Sequence, residues 1–308
     1  MLVIAIVVTS SGIFAQNLPD IFGSTPKQLL VSKTLAAYPK NTWLENLVAG
    51  ENENLYVTNY PEGKVLKVSP GGEKELYATI DGKIAGIAVY HKNQFLVSGW
   101  DKEGKASIFK IDDHRTVTKL LNIDGGMFPN GIIYFHDDKY LVADSFAGCI
   151  WQYDAAINQV TVWLKDELLA RSSDKSQFPA ANGLKIYKEN LYVSNTEKQI
   201  LVQIPLSDFK PGIPSLFLDK VNIDDFTFDG SGDIYAATNV YNGVIKITPE
   251  KKITIVADLS SGVAGSTAVV LAKNSTGKKV LYVSTSGGMA VPPPTGVEEG
   301  KIIELILK

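Results

Sequence analysis

The sequence predicts an all-β protein, a six-bladed β-propeller, and two observations lead to this prediction. A short strand core of the type Leu-Tyr-Val occurs six times, and Gly, Asn and Asp occupy the turns between strands. A period of forty to fifty residues built from short strands is typical of a radial repeat. The six strand cores begin at Leu55, Phe95, Tyr140, Leu191, Ile234 and Leu281.

One position lies about ten residues before each of the first five strand cores, and an insertion around Asn274 to Lys279 lengthens the offset before the sixth. We call the six residues at this position the register residues. Their successive spacings are 40, 45, 52, 42 and 42 residues. In a propeller the innermost strands point their ends at a central channel, so these residues are expected to meet there. The register residues are Glu45, Ala85, Asn130, Asn182, Asp224 and Ser266.

Each repeat reads as a register residue followed by three strands, the last of them an outer amphipathic strand. The first repeat, ENLVAGENENLYVTNYPEGKVLKVS from Glu45, shows the pattern. The longest spacing contains VWLKDELLARSS from Val162, which predicts a short helical insertion. The chain is therefore expected to form one domain over residues 41–308.

The residues before this domain divide into two predicted segments. Residues 1–15 form an apolar run that ends in small residues, as in a signal peptide cleaved after Ala15. This predicts a secreted or periplasmic protein, and the run is too short to span a membrane. The alternative is a first strand that packs in the fold. Residues 16–40, which contain three prolines, are expected to form an irregular N-terminal segment.

Composition excludes several function classes. The formal net charge is −3 and Lys and Arg form no cluster, which argues against a nucleic-acid partner. The single cysteine, Cys149, permits no internal disulfide and is expected to be a buried, inert thiol. The three histidines lie in turn-like segments far from the register residues, so we expect them to be solvated.

Four register residues carry oxygen ligands: Glu45, Asn130, Asn182 and Asp224. Two carboxylates and two amide carbonyls suit a hard divalent cation such as Ca²⁺ or Mg²⁺. An Asn before a Gly, as at both asparagines here, commonly just makes a turn, and this alternative stays open. Asp225 is expected to face away from Asp224 along a strand and to cap backbone or support the site.

These residues and their surrounding motifs resemble the SMP-30/gluconolactonase/luciferin-regenerating enzyme-like family. The resemblance covers about residues 41–307 and rests on Glu45, the Pro-Asn-Gly at Asn130, the Asn-Gly-Leu at Asn182 and the Asp224 element. It implies a six-bladed propeller that binds one divalent cation, with Ca²⁺ preferred over Mg²⁺, Mn²⁺ and Zn²⁺. Glu45, Asn182 and Asp224 match the family's metal ligands, and Asn130 matches a further ligand or substrate contact. The family also implies that Asp224 is the base that activates water.

Two departures from the family bear on the substrate. Asn46 and Leu47 follow Glu45 where a Gly-Pro pair is usual, and Phe128 stands where the family's sugar lactonases carry an arginine. Loss of that arginine removes a donor fork suited to hydroxyls and carboxylates, which argues against a sugar acid lactone. Candidate substrate contacts are Asn130, Phe128, Trp100 and Asn195.

Three functions follow as alternatives from the same residues. The first is a metal-dependent hydrolase of a small lactone or ester, with Asp224 as catalytic base. The second is a non-hydrolytic pocket that guides a cyclisation or only binds a ligand. The third is a structural propeller that binds no metal. Fold alone does not choose among them.

Overall fold

The computed structural model describes residues 18–307, which form six antiparallel sheets around a central channel. The first strand of each sheet contacts the first strand of the next sheet, and the contacts close into a ring. This confirms the predicted six-bladed β-propeller. The predicted signal peptide, residues 1–15, lies outside the described residues.

Blades 1 to 3 each contain four strands that follow one another along the chain. Blade 1 holds β2 (Leu44–Ala49), β3 (Leu55–Asn59), β4 (Lys64–Val68) and β5 (Lys74–Thr79). Blade 2 holds β6 (Gly82–His91), β7 (Gln94–Asp101), β8 (Ala106–Ile111) and β9 (Val117–Asn122). Blade 3 holds β10 (Pro129–His136), β11 (Lys139–Asp144), β12 (Cys149–Asp154) and β13 (Gln159–Lys165).

Blades 4 to 6 vary at their outer edge. Blade 4 holds β14 (Ala181–Tyr187), β15 (Asn190–Asn195), β16 (Ile200–Ser207), β17 (Lys210–Pro211) and β18 (Ser215–Leu218). Blade 5 holds β19 (Phe226–Phe228), β20 (Ile234–Ala237), β21 (Val244–Ile247) and β22 (Ile253–Ala257). Blade 6 holds β23 (Ser266–Lys273), β24 (Lys279–Thr285), β25 (Glu299–Ile306) and β1 (Val31–Lys40). Short 3₁₀ helices span Glu51–Glu53, Asn239–Tyr241 and Leu259–Ser261.

The N-terminal strand closes the ring, which corrects the prediction that residues 16–40 are irregular. β1 pairs antiparallel with β25 and becomes the outermost strand of blade 6. Just before it, the backbone at Lys27 pairs with Ile255 on the outer edge of blade 5. The prolines of this segment are compatible with these positions because edge strands tolerate a missing donor. The propeller therefore extends at least from Lys27, not from residue 41.

Two further expectations about the repeat were incomplete or wrong. The strands predicted as outer strands are the third of their blades, because every blade has a further strand outside them and blade 4 has two. The segment from Val162 predicted as helical forms the end of β13 and then a loop, with no α-helix in residues 18–307. β13 lies at the edge of its blade and contains only exposed and half-buried residues. The hydrophobic pattern that identifies a strand is therefore weak in this part of the sequence.

The hydrophobic core lies between neighbouring blades rather than within one. Between blades 1 and 2, for example, Tyr56 and Val65 pack with Ile84, Phe95 and Phe109, and all five are buried. Burial of such side chains contributes about 1.5–3 kcal/mol each relative to exposure. Among the described residues, no helix has the length and apolarity needed to cross a membrane. Cys149 is buried as expected, and burial raises the pKa of its thiol to about 12.

Candidate metal and catalytic site

β-bulges place the register residues at one end of the channel. In blade 1, Leu44 pairs with Asn59 and Leu47 pairs with Val57, so two residues of β2 oppose only one of β3. Blades 2, 3 and 4 show the same irregularity at the equivalent position. A bulge re-aims side chains and is frequent beside active sites. Each of these register residues is one of the two bulged residues.

Glycines after the register residues let neighbouring innermost strands approach closely. A Cβ on Gly131 would lie 2.6 Å from the carbonyl oxygen of Asn182. A Cβ on Gly183 would lie 2.5 Å from Asp225 Oδ1. Both Asn-Gly pairs therefore lie in strands that line the channel, not in turns. Each glycine is required because the neighbouring innermost strand lies too close to leave room for a Cβ.

Hydroxyl groups link each blade to the next at the level of the register. Thr58 Oγ1 donates to the carbonyl oxygen of Ala85 at 2.7 Å. Ser194 Oγ donates to the carbonyl oxygen of Asp224 at 2.8 Å. Both hydroxyls lie on second strands opposite a bulge, so the bulge and the link between blades fix the backbone of the register residues together.

Asp224 lies at the centre of an amide network. Asn182 Nδ2 donates to its Oδ1 at 2.5 Å, and Asn239 Nδ2 donates to its Oδ2 at 2.6 Å. The side chain is only 4% exposed. Burial raises the pKa of Asp224 well above its usual value, and the nearby charge of Glu45 raises it further. The two amide donors oppose this rise because they stabilise the carboxylate form.

Glu45 is the second carboxylate of the site. Its Oε2 accepts a hydrogen bond from Trp43 Nε1 at 2.5 Å. The side chain keeps some surface open to the channel, but protein surrounds it. This burial raises the pKa of Glu45 to about 7, with a smaller contribution in the same direction from the charge of Asp225. The Trp43 hydrogen bond opposes the rise.

The side-chain amides of the two register asparagines are oriented by hydroxyl groups. Asn130 Nδ2 donates to Ser145 Oγ at 3.3 Å, and Asn182 Nδ2 donates to Thr196 Oγ1 at 3.1 Å. Within residues 18–307 no group donates to the Oδ1 atom of either asparagine. Each amide therefore presents a free carbonyl oxygen, the atom that a hard cation or a substrate hydroxyl would use.

The donor set fits a divalent cation. The charge of Glu45 adds to the tendency of Asp224 to stay protonated, and a dication would offset that repulsion. Asn239 Oδ1, on the amide that holds Asp224, is buried and has no hydrogen-bond partner among the described residues. Such an orphaned oxygen is satisfied by an ion or an ordered water. In that same part of the chain, no three His, Cys, Asp or Glu side chains group together as a metal site, so the amides would have to complete the set.

Asp225 faces the other side of the register, as expected from strand alternation. Lys185 Nζ lies 2.5 Å from Asp225 Oδ1 in an ion pair, and Asn46 Nδ2 lies 3.4 Å from Oδ2. These three residues line a cavity of about 240 Å³ whose other walls are largely apolar. The cavity lies in the part of the channel on the other side of the register residues from the mouth, which we call the lower channel. The two adjacent aspartates thus serve different ends of the channel.

The residues predicted to contact the substrate lie in two different environments. Phe128 and Trp100 are half-buried at the channel mouth and pack against each other with ring centroids 4.7 Å apart. Asn195 is fully buried, and its amide donates to the carbonyl oxygens of Leu168 and Ala170. This geometry gives Asn195 a role in holding the loop after β13, and it leaves no free donor for a substrate.

Sequence reasoning missed three aromatic residues at the mouth and underrated one asparagine. Trp43 contacts Glu45 within blade 1, Phe146 contacts Phe128 within blade 3, and Tyr60 of blade 1 contacts Trp100 of blade 2. Asn239, whose amide holds Asp224, was not assigned this role from the sequence. Their position in the sequence was the signal that could have identified them. Each of the four lies next to one end of a first or second strand of its blade, at the end of the channel that carries the register residues.

Neither a protein-family profile nor a curated protein sequence matches the chain. Solved structures do match. A luciferin-regenerating enzyme has a TM-score of 0.66 at 15% identity, covering 90% of this chain and 95% of that one. A gluconolactonase from Xanthomonas campestris has a TM-score of 0.66 at 15% identity, covering 89% of each chain. Regucalcin, a calcium-binding protein from Agrobacterium tumefaciens, has a TM-score of 0.69 at 15% identity, covering 91% and 95%.

The fold is a six-bladed β-propeller similar to those of the luciferin-regenerating enzyme, the gluconolactonase and regucalcin, and the similarity covers nearly the whole chain. The architecture implied by the sequence resemblance is thereby confirmed. At this identity the likeness shows fold alone, so activity must be argued from the site.

Proposed function

We propose that this protein is a divalent-metal-dependent hydrolase of a small lactone or ester, acting at the register end of the channel. The observation that carries the proposal is the pair of carboxylates formed by half-buried Glu45 and buried Asp224, the second of which is held by two side-chain amides. Buried charges of one sign persist only when something compensates them, and the described residues place no Lys or Arg in hydrogen-bonding contact with either group. The fold shared with gluconolactonase and regucalcin supports the same conclusion.

Glu45, Asn182, Asp224 and Asn130 would hold the cation, for which Ca²⁺ is the first candidate because all the donors are oxygens. A bound dication supplies Lewis acidity that polarises the substrate carbonyl and stabilises developing oxyanion charge. Mg²⁺, Mn²⁺ and Zn²⁺ are the other candidates. Carboxylate and amide oxygens suit Mg²⁺ and Mn²⁺, whereas Zn²⁺ usually recruits Cys or His.

Asp224 is the proposed base. Burial raises the pKa of Asp224 well above its usual value, which makes its carboxylate a stronger base. Asn182 and Asn239 fix its orientation through one hydrogen bond to each oxygen. Asn130 would orient the substrate through its side-chain carbonyl oxygen. The attacking water would lose its proton to Asp224, which would return it to the leaving alkoxide.

The test is release of acid from a panel of aliphatic and aromatic lactones, with and without Ca²⁺. Asp224→Asn should lower kcat/KM at least about 100-fold, the scale of a lost general base, while the fold is retained. Asp225→Asn is the matched control because that carboxylate faces the lower channel, and it should retain activity within about tenfold. Equal activity of wild type and Asp224→Asn would reject the assignment.

A non-hydrolytic pocket is the second candidate, and one observation favours it. Phe128 occupies the mouth where an arginine would support acid or hydroxyl recognition, so the mouth is apolar. A pocket of this kind could guide a cyclisation or only bind a ligand. Protein that binds a cation yet hydrolyses no member of the lactone panel would decide for this candidate.

A further inference from the structure

Five aromatic side chains form a continuous arc around the channel mouth, and the proposed mechanism does not use them. Ring centroids are 6.0 Å apart for Trp43–Tyr60, 5.9 Å for Tyr60–Trp100, 4.7 Å for Trp100–Phe128 and 5.0 Å for Phe128–Phe146. We call these five residues the aromatic arc. They come from blades 1, 2 and 3, so the contacts join three blades.

The aromatic arc lies at the end of the channel that carries the register residues. Trp43 and Phe128 come directly before the innermost strands of blades 1 and 3. Tyr60 and Phe146 follow the second strands of the same blades, and Trp100 lies near the end of the second strand of blade 2. One end of the arc touches the candidate metal ligand, since Trp43 Nε1 donates to Glu45.

The arc is held rigidly by polar contacts that leave the rings themselves apolar. Trp100 Nε1 donates to the carbonyl oxygen of Met127 at 3.1 Å. Asp144 accepts the backbone N–H groups of Met127 and Phe128, each at 2.8 Å. A surface fixed before a ligand arrives loses little side-chain entropy on binding.

Packing alone does not account for the arc. Core aromatics of this protein are buried, as Phe95 is at 1% exposure. All five arc residues are half-buried, and the adjoining Met127 is 53% exposed. A contiguous apolar surface that stays accessible beside a polar site marks a binding surface.

We propose that the aromatic arc binds the aromatic ring of a neutral lactone or ester whose reacting carbonyl lies at Glu45 and Asp224. This proposal rests on the proposed function and specifies its substrate class. Trp100 packs edge-to-face against Tyr60 and Phe128, at 76° and 89°, which is the geometry that an added aromatic ring can extend.

Charge at the far end of the arc argues against a cationic ligand. The Arg171 guanidinium lies 4.2 Å from the Phe146 ring centroid and occupies that π-face. Its side chain is only 7% exposed, and it is held by the carbonyl oxygens of Asp174 and Ser176 and by an ion pair of 3.7 Å with the Asp174 carboxylate. The face of Phe146 that a quaternary ammonium group would use is thus already occupied by a cation fixed in place.

The first experiment measures binding without turnover, by calorimetry of phenylacetone and cyclohexylacetone with the full-length, Ca²⁺-supplied protein. The two ketones match in size and differ in aromaticity. We expect phenylacetone to bind about tenfold tighter, the effect of one good aromatic contact. Phe128→Leu should reduce this preference to about twofold or less. Tyr60→Leu is the second variant in case Phe128→Leu does not fold.

Tyr134→Leu is the matched control. Tyr134 is 54% exposed near the far end of β10, in the lower-channel wall, so its replacement should leave the preference unchanged. Equal binding of the two ketones would overturn the proposal. So would a preference that persists in both arc variants, or tighter binding of a choline ester than of phenylacetone.

A parallel turnover assay compares γ-phenyl- and γ-cyclohexyl-γ-butyrolactone. If the phenyl lactone is hydrolysed with about tenfold higher kcat/KM, both proposals are supported. If the ketone preference is present but neither lactone is hydrolysed, the hydrolase function fails while aromatic recognition by the arc stands. Hydrolysis of both lactones at equal kcat/KM retains the hydrolase function and rejects the arc as its specificity element.

Discussion

At the scale of single residues, Asp224 and Asp225 show how adjacent carboxylates acquire different chemistry. Asp224 is held by two amides and has no cationic partner among the described residues. Asp225 forms an ion pair with Lys185. Because Asp225 is already paired with a cation and Asp224 is not, Asp224 is the aspartate that we propose to hold a metal ion together with Glu45.

The raised pKa of Glu45 makes a pH-dependent prediction for the protein in a chelator. Folding raises this pKa from 4.5 to about 7, so the native state holds a proton that the unfolded chain releases between those values. The free energy of unfolding should therefore fall as pH rises through this window, by up to about 3 kcal/mol from this group. Urea titrations at pH 4.5 and 7.5 measure the change.

Glu45→Gln removes the titrating group and is expected to flatten this dependence. Asp224 remains and contributes in the same direction, so the dependence should shrink rather than vanish. An exposed carboxylate, Asp137→Asn, serves as the control and should leave the curve unchanged. An unaltered pH dependence of the free energy of unfolding in Glu45→Gln would show that folding does not raise the pKa of Glu45.

At the scale of elements, the bulge and its glycine position the site. Gly131→Ala would place a Cβ 2.6 Å from the carbonyl oxygen of Asn182. We expect a loss of about 1–3 kcal/mol in the free energy of unfolding, because backbone cannot move aside cheaply. Thermal unfolding and urea titration measure it.

Gly230→Ala is the control for that substitution, since a Cβ there meets nothing within 4 Å. It should change stability by less than about 0.5 kcal/mol. A Gly131→Ala protein as stable as Gly230→Ala would mean that the innermost strands do not approach as closely as described.

Ring closure by β1 gives a second prediction at this scale. Leu35 is buried on β1, against β25 and blade 1, whereas Val31 on the same strand is 65% exposed. Leu35→Ala should cost about 2–3 kcal/mol, and Val31→Ala should cost less than about 0.5 kcal/mol. Denaturant unfolding of both variants compares them, and equal costs would contradict a packed closing strand.

The elements also show what sequence could and could not predict. The inner strands were predicted because they are buried and recur with Gly-rich turns. β1 and the fourth strands were missed because most of their residues are exposed or only half-buried, which weakens the hydrophobic pattern. β1 additionally pairs with β25, far away along the chain, and a local pattern carries no such information.

At the scale of the whole molecule, the register residues were predictable as a set because the propeller repeats them at one level of the channel. The aromatic arc was not predictable in the same way, because its continuity depends on the contacts of Trp100 with Tyr60 and Phe128 in the neighbouring blades. The role of Asn239 was not predictable for a different reason, because its hydrogen bond to Asp224 depends on the turn of a 3₁₀ helix.

We propose that Glu45, Asn130, Asn182 and Asp224 together hold one divalent cation at the channel mouth. Calorimetric titration of the chelator-treated, full-length protein with Ca²⁺ tests this proposal, with Glu45→Gln and Asp224→Asn measured alongside. We expect one ion per chain for wild type and binding weakened at least about tenfold in each variant, the scale of a lost carboxylate ligand. Absence of Ca²⁺, Mg²⁺, Mn²⁺ or Zn²⁺ binding by wild type, or binding unchanged in both variants, would contradict it.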